Sequence, residues 1–530
     1  MLLLRLPFFS TVLLAFSVVR AQSSPLIDLG YAQYQGLVDT TKNITQFLGV
    51  RYAAAPLGDL RFRAPQPPVN VTGVQQATAQ PNECFQAPTG LSPTNPLESR
   101  ATEIIATEDC LFLNVYYPSD AVGTPPQNLP TLVWIHGGGY LAGSASTFNG
   151  EDIIRQSNHE VVVVIIQYRL GVFGFLPGTA VKANGALNAG LLDQDSAMRW
   201  VNQHITKFGG DPSKVTIWGE SAGAGSVLQH VVANGGKTQP QLFRGAITSS
   251  TFLPSQYQFN DRVPELLFSE VVAQTNCSST TDAMTCLRAA SATALEAANT
   301  NINIGGFFGT FLFVPVVDGT FITQRPTLSL MQRKVNGQAL LTVTNTFEGT
   351  AFVNQSVTAV TAAQYSLELF PDFTAAQANT VETLYSGLGT ELFQVSAIQG
   401  ESIFICPTYY MLSAFPGRSF KGEFAIPPGL HGNDVVYYFP GTSTPPFNNT
   451  AFIDAFAQSF TSFIINQNPN IKVDPTTITP LWNAFAVGDT EMLFNQTAPN
   501  GLPVVQPITT SSALLTRCQF WESVGNLTAQ

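Results

Sequence analysis

The sequence predicts an α/β fold, with a mostly parallel central sheet flanked by helices and carrying large insertions. Three observations predict it. Short apolar runs alternate with helix-like stretches through the first half of the chain. One of those runs, Val215-Thr216-Ile217-Trp218, leads into Gly219-Glu220-Ser221-Ala222-Gly223 and then into small residues able to open a helix. An earlier run, Leu132-Val133-Trp134-Ile135, leads into the triplet Gly137-Gly138-Gly139.

The alternation is carried by candidate strands at residues 131–136, 161–168, 215–219 and 245–249. Residues 191–208 lie between the second and third, with Trp200, Val201 and Ile205 at helical spacing. Apolar strands separated by helices suit a parallel sheet buried on both faces. Runs at 313–317 and 339–343 supply two further candidate strands. No internal repeat or low-complexity linker divides the chain, so residues 22–530 read as one domain. At 530 residues and 45% hydrophobic content, that domain can bury a large core.

Strand, Gly-x-Ser-x-Gly and helix in succession form the nucleophile elbow of α/β-hydrolases. Such a turn is too tight for side chains two residues either side of the serine, which calls for Gly219 and Gly223. It also sets the serine at the positive end of the following helix. A serine nucleophile needs a base, usually histidine, and in this fold the chain order is Ser, then Asp or Glu, then His. Of the five histidines, His136, His159, His204 and His230 fall at or before the elbow region, and only His431 lies well beyond it. His431 stands in the Gly-flanked stretch Gly429-Leu430-His431-Gly432, a loop able to present an imidazole. For the acid, Glu348 and Asp318 each follow a candidate strand, and spacing leaves both open. The Gly triplet is suited to an oxyanion hole, because glycine lets backbone N–H groups approach a substrate closely. It lacks the Gly-x-Gly-x-x-Gly spacing of a dinucleotide site.

Charged residues make up 11% of the chain, with net charge -11 and no Lys/Arg cluster, which argues against a nucleic-acid partner. Arg5, the apolar run 8–19 and Val19-Arg20-Ala21 read as a secretory signal cleaved after Ala21, leaving no stable membrane anchor. The six cysteines fit an oxidising compartment. Loop closure favours Cys84–Cys110 and Cys277–Cys286, which leaves Cys406 and Cys518 as the third pair. Closing the first loop is worth about 3 to 4 kcal/mol in the chain-entropy model. Asn-x-Ser/Thr sequons mark Asn43, Asn70, Asn276, Asn354, Asn448, Asn495 and Asn526 as candidate glycosylation sites. No Cys-x-x-Cys or His-x-x-x-His spacing points to a metal.

Together these motifs resemble the type-B carboxylesterase/lipase family, which includes cholinesterases and large secreted microbial lipases. Glu108-Asp109-Cys110-Leu111-Phe112-Leu113-Asn114-Val115 matches one family signature. The stretch from Phe208-Gly209-Gly210-Asp211-Pro212 to the elbow matches another, and further matches run across nearly the whole mature chain. The resemblance implies that Glu348 is the acid, in Asn345-Thr346-Phe347-Glu348-Gly349, and that Asp318 is structural. It places the base at His431 and the oxyanion amides at Gly138, Gly139 and Ala222. It also implies two structural ion pairs, Arg61–Glu108 and Arg169–Asp193, and a lid closed by Cys84–Cys110. That loop has no Trp and Phe85 as its only aromatic, unlike the cation-binding loop of cholinesterases. Ser249-Ser250-Thr251 stands where relatives often carry Gln-Ser-Gly, and Glu220 has no assigned role.

The expected function is a secreted carboxylic-ester hydrolase with a Ser221–His431–Glu348 triad, an acyl-enzyme intermediate and no cofactor. The alternatives are a triacylglycerol lipase or sterol esterase of the same family, and a non-catalytic adhesion homologue. The expected partner is a small-molecule or lipid ester.

Overall fold

The computed structural model describes residues 24–90, 106–356 and 360–530. The leader read at residues 1–21 and the middle of the Cys84–Cys110 loop lie outside the described residues. The main sheet has eleven strands among the described residues. In chain order these are β1 (Leu37–Asp39), β2 (Ile44–Arg51), β3 (Phe112–Pro118), β4 (Leu129–Ile135), β5 (Val162–Ile166) and β6 (Gly210–Glu220). They continue as β7 (Gly245–Ser249), β8 (Ala339–Asn345), β9 (Ser419–Phe424), β10 (Thr490–Gln496) and β11 (Pro503–Thr509). Across the sheet the order is β11-β10-β9-β8-β7-β6-β4-β5-β3-β2-β1. Pairing is parallel from β5 through β4 and β6 to β10, and antiparallel at both margins. Pro503 and Pro507 lie on the outermost strand, an edge where a missing N–H costs little.

The central strands are apolar because both their faces are covered. In β5, Val162, Val164 and Ile166 point into one buried cluster, and Val163 and Ile165 into the other. This is the two-residue alternation of a pleated strand, with neither face left to water. Helix α1 (Ala189–His204) lies between β5 and β6 in sequence, and α2 (Ala222–Val232) starts directly after Ser221. A third helix, α3 (Thr450–Asn466), carries Phe452, Phe456, Phe460 and Phe463 three or four residues apart, which sets them on one face. That face packs on the sheet: Phe460 stacks on Trp218 of β6 with centroids 5.1 Å apart, and Phe456 meets Phe494 of β10 at 4.9 Å. Removing the buried Phe460 ring leaves a cavity under the elbow strand. Phe460→Ala is expected to lower unfolding free energy by about 3 to 5 kcal/mol, read by denaturant titration. A loss under about 1 kcal/mol would mean the site collapses around the gap.

The run at 313–317 is not a strand of this sheet. Its only pairing among the described residues is a bridge from Val317 to Gln258. Pro315 within it has no N–H to give a ladder. Asp318 then holds a turn: its carboxylate accepts from Thr320 N at 2.6 Å and Asn188 Nδ2 at 2.6 Å. Disulfides join Cys84 to Cys110, Cys277 to Cys286 and Cys406 to Cys518. Arg61 pairs with Glu108 and Arg169 with Asp193, and all four side chains are buried. In each pair Nε and Nη2 donate to the carboxylate. Backbone carbonyls take further donors, those of Leu287, Arg288 and Ala290 from Arg61 and that of Arg63 from Arg169.

Candidate active site

The site forms where the parallel strands end. Gly219 of β6 lies beside Ile135 of β4, so the elbow and the Gly triplet emerge side by side. Ser221 has φ 56° and ψ -124°, a conformation costing a non-glycine residue about 1 to 3 kcal/mol. Two backbone hydrogen bonds hold it, Ser221 N to Ser249 O at 3.0 Å and Gly225 N to Ser221 O at 2.8 Å. The flanking glycines are steric necessities. A Cβ on Gly219 would sit 2.3 Å from the carbonyl carbon of Gly223, and one on Gly223 would sit 2.0 Å from Ile135 O. The triplet packs against the same turn, since a Cβ on Gly137 would lie 2.9 Å from Ser221 Cβ.

Ser221 Oγ lies 2.8 Å from His431 Nε2, and His431 Nδ1 lies 2.6 Å from Glu348 Oε2. The other Glu348 oxygen, Oε1, accepts from Asn345 N at 2.7 Å and from Ser250 Oγ at 2.7 Å. Both oxygens of the buried carboxylate are thereby used, and its orientation is fixed. The two loops are also tied together. Phe347 N donates to Gly429 O at 2.8 Å, and Asn345 Nδ2 donates to Asp434 Oδ1 at 2.9 Å, just past His431. Asp434 Oδ2 accepts from Tyr438 OH at 3.0 Å. Ser250, Asn345 and Asp434 thus hold Glu348 and the His431 loop in place, a role the sequence assigns to none of them. Ser250 is the middle residue of Ser249-Ser250-Thr251, the one position at which that stretch keeps the serine of Gln-Ser-Gly.

Three carboxylates surround His431. Glu220 Oε1 is 3.3 Å from Nε2, Glu348 is bonded to Nδ1, and Asp434 lies close by. Burial opposes protonation of His431. The Glu348 hydrogen bond and the charges of Glu220, Glu348 and Asp434 outweigh it and hold the imidazole above its ordinary pKa. Burial pushes Glu220 up to about 7, against the pull of His431, and pushes Asp434 up as well. An imidazole in this setting is suited to accept a proton from Ser221, because the cation it becomes is already solvated by carboxylates. Glu220→Gln removes one negative neighbour and makes the His431 proton easier to lose. The acidic limb of kcat/KM is therefore expected to move to lower pH. A limb that stays in place or moves upward would show that Glu220 does not act on the base.

An aromatic wall closes the other side. Phe404 and Phe352 pack on the His431 ring at 4.5 and 4.9 Å. Phe252 and Phe311 extend the wall, with Phe252 to Phe404 at 5.4 Å and Phe311 to Phe352 at 6.0 Å. Phe311 lies against Gly139. Behind Phe252 and Phe311 is an apolar cavity of about 260 Å³, lined also by Leu267, Leu312, Val316 and Ile403. Phe311 and Leu312 come from the Phe- and Gly-rich segment 302–312. At the start of the Cys84–Cys110 loop, Phe85 stacks on Phe173 at 5.1 Å.

Residues 23–521 match the sequence model of the Carboxylesterase family. A carboxylesterase of Penicillium expansum, patB, is 29% identical over 97% of this chain and 98% of its own. Lipase 2 of Geotrichum candidum is 31% identical over 82% of this chain and 85% of its own. The crystal structure of Aspergillus niger EstA superposes with a TM-score of 0.84 at 31% identity, covering 96% of this chain and 99% of that one. With this fold, this elbow and these matches along nearly its whole length, the chain belongs to the carboxylesterase family and is an α/β-hydrolase enzyme acting on carboxylic esters.

Proposed function

We propose that this carboxylesterase is a secreted serine esterase working through Ser221, His431 and Glu348. His431 Nε2 takes the hydroxyl proton as Ser221 Oγ attacks the ester carbonyl, and the carbonyl electron pair moves onto oxygen. The amides of Gly138, Gly139 and Ala222 hold that oxyanion. The tetrahedral species collapses, the proton passes from His431 to the departing alkoxide, and an acyl-Ser221 ester remains. Water, activated by the same histidine, releases the acid and restores the serine. Glu348 keeps the Nδ1–H tautomer and stabilises the imidazolium. The chemistry draws on no metal or cofactor.

The observation that carries this reading is the unbroken line Glu348–His431–Ser221, at 2.6 and 2.8 Å. Rapid mixing with a p-nitrophenyl ester is expected to release one equivalent of p-nitrophenol per enzyme in a burst when deacylation is slow. A phosphonofluoridate should abolish turnover by labelling Ser221. Full labelling of a different residue would overturn the assignment.

Secretion is supported by the leader pattern, the three disulfides and the exposure of Asn43, Asn70, Asn276, Asn448 and Asn526. Asn354 and Asn495 are half-buried. Glycan occupancy at these asparagines is part of the same proposal. Among the described residues no helix is long and apolar enough to cross a membrane.

The phenylalanine wall and the cavity favour esters with an apolar acyl group of modest length, since about 260 Å³ lies just below the usual range for small-molecule pockets. The same cavity, with a lipase among the relatives, gives a second reading as a triacylglycerol lipase. A chain-length series of p-nitrophenyl esters, followed through the critical micelle concentration, separates the two. Smooth saturation supports the esterase, and a jump at the micelle threshold supports the lipase.

A further inference from the structure

The amides assigned to the oxyanion hole differ in what aims them. A peptide group is rigid and trans, so each N–H points opposite to the C=O of the preceding residue. Whatever grips that carbonyl therefore sets the direction of the donor. For Ala222 the carbonyl is Ser221 O, held by Gly225 N at 2.8 Å in the first turn of α2. For Gly139 it is Gly138 O, held by Leu141 N at 3.0 Å and Ala142 N at 2.9 Å. For Gly138 it is Gly137 O. Among the described residues its partner is a side chain, the imidazole of His136, with Nδ1 at 2.9 Å.

We propose that His136 is a positioning residue for the oxyanion hole, its Nδ1–H fixing the Gly137–Gly138 peptide and so the aim of the Gly138 amide. A carbonyl can only accept, so Nδ1 must carry the proton. The ring has little freedom to do otherwise. It is 1% exposed and stacks on Tyr168 with centroids 4.5 Å apart and planes 19° apart. Tyr168 OH in turn donates to His136 O at 2.8 Å, anchoring the backbone that carries the ring. Burial pulls the His136 pKa down to about 4, so the ring stays neutral at neutral pH. Gly138 has φ 99° and Gly139 φ 64°, and loops of this kind have few side chains of their own to brace them. His136 braces this one from the strand end.

This inference rests on the serine-esterase reading, and the test keeps the two apart. Turnover of p-nitrophenyl butyrate by the wild type, and its loss in Ser221→Ala, report on that reading. His136 is then tested by two variants that lose the stacked ring equally. Asn carries an amide N–H where His Nδ1 stands, and Leu carries none. His136→Leu is expected to lower kcat by about 10- to 100-fold, less than outright loss of a donor, with KM within about twofold. The inhibition constant of a trifluoromethyl ketone, which forms a tetrahedral oxyanion on Ser221, should rise in proportion. His136→Asn should recover most of the rate at a similar melting temperature. Equal rates in the two variants, or ketone affinity unchanged in His136→Leu, would overturn the proposal. If His136→Leu fails to fold, His136→Phe, which keeps a ring on Tyr168 and has no donor, replaces it. It should lose rate and ketone affinity as His136→Leu would, and wild-type values for both would overturn the proposal.

Discussion

Ser221→Ala is expected to reduce kcat for a p-nitrophenyl ester by about a million-fold, the scale seen when the nucleophile of a serine hydrolase is removed. In the proposed mechanism Ser221 Oγ is the nucleophile, His431 Nε2 moves its proton across 2.8 Å, and Glu348 holds His431 Nδ1 at 2.6 Å. Substrate binding should persist, because the phenylalanine wall and the backbone donors do not depend on Oγ. Stability should change by less than about 1 kcal/mol. Alanine pays the same backbone cost at φ 56° as serine, and the loss is one hydrogen bond to a partly exposed imidazole. Pre-steady-state kinetics and a thermal melt on the same sample test both statements. Retained turnover would refute the mechanism, and an unfolded variant would show that Oγ has a structural role.

Glu348→Gln is expected to cost about ten-thousandfold in kcat with little change in fold. The reason lies on the side of the carboxylate away from the histidine. Oε1 accepts from the backbone amide of Asn345, a donor that cannot reverse. In the variant, the glutamine oxygen must take that place, and its NH2 then faces His431 Nδ1. The imidazole is driven to the Nε2–H tautomer, which cannot accept the Ser221 proton. Ser250 does not rescue it, because its hydroxyl also meets Oε1 and can rotate to suit either atom. The measurement is kcat and KM across pH with a circular-dichroism check of the fold. A loss below about tenfold would mean that Glu348 does not select the tautomer.

Much of the site was legible in the chain because its demands are local. Gly219 and Gly223 are required within a five-residue turn, and the structure places each within 2.3 Å of backbone that a Cβ would strike. His431 stood out by elimination in a chain with few histidines. The acid was less legible. Glu348 and Asp318 both follow apolar runs, and spacing alone did not separate them. The structure does: Glu348 reaches His431, and the Asp318 carboxylate binds a turn and Asn188. The candidate strand at 313–317 is not one: Val and Phe content cannot reveal that a segment with Pro315 bridges Gln258 instead of pairing in the sheet.

The supporting residues were not legible at all. Ser250 meets Glu348 across 98 residues of chain, and Asn345 meets Asp434 across 89. Chain order excludes His136 as the base, and its contact with Gly137 O depends on rotamer and burial. By itself the sequence determined the fold class and the carboxylesterase family. It also marked the serine elbow, the late histidine and the glycine loop on which the proposed chemistry rests, each encoded by neighbours in the chain. Only the tertiary structure decided which carboxylates gather around His431, which rings wall the pocket and which groups hold the carbonyls of Gly137, Gly138 and Ser221. Those contacts follow from strand order and register, and these arise when distant segments bury their apolar faces together.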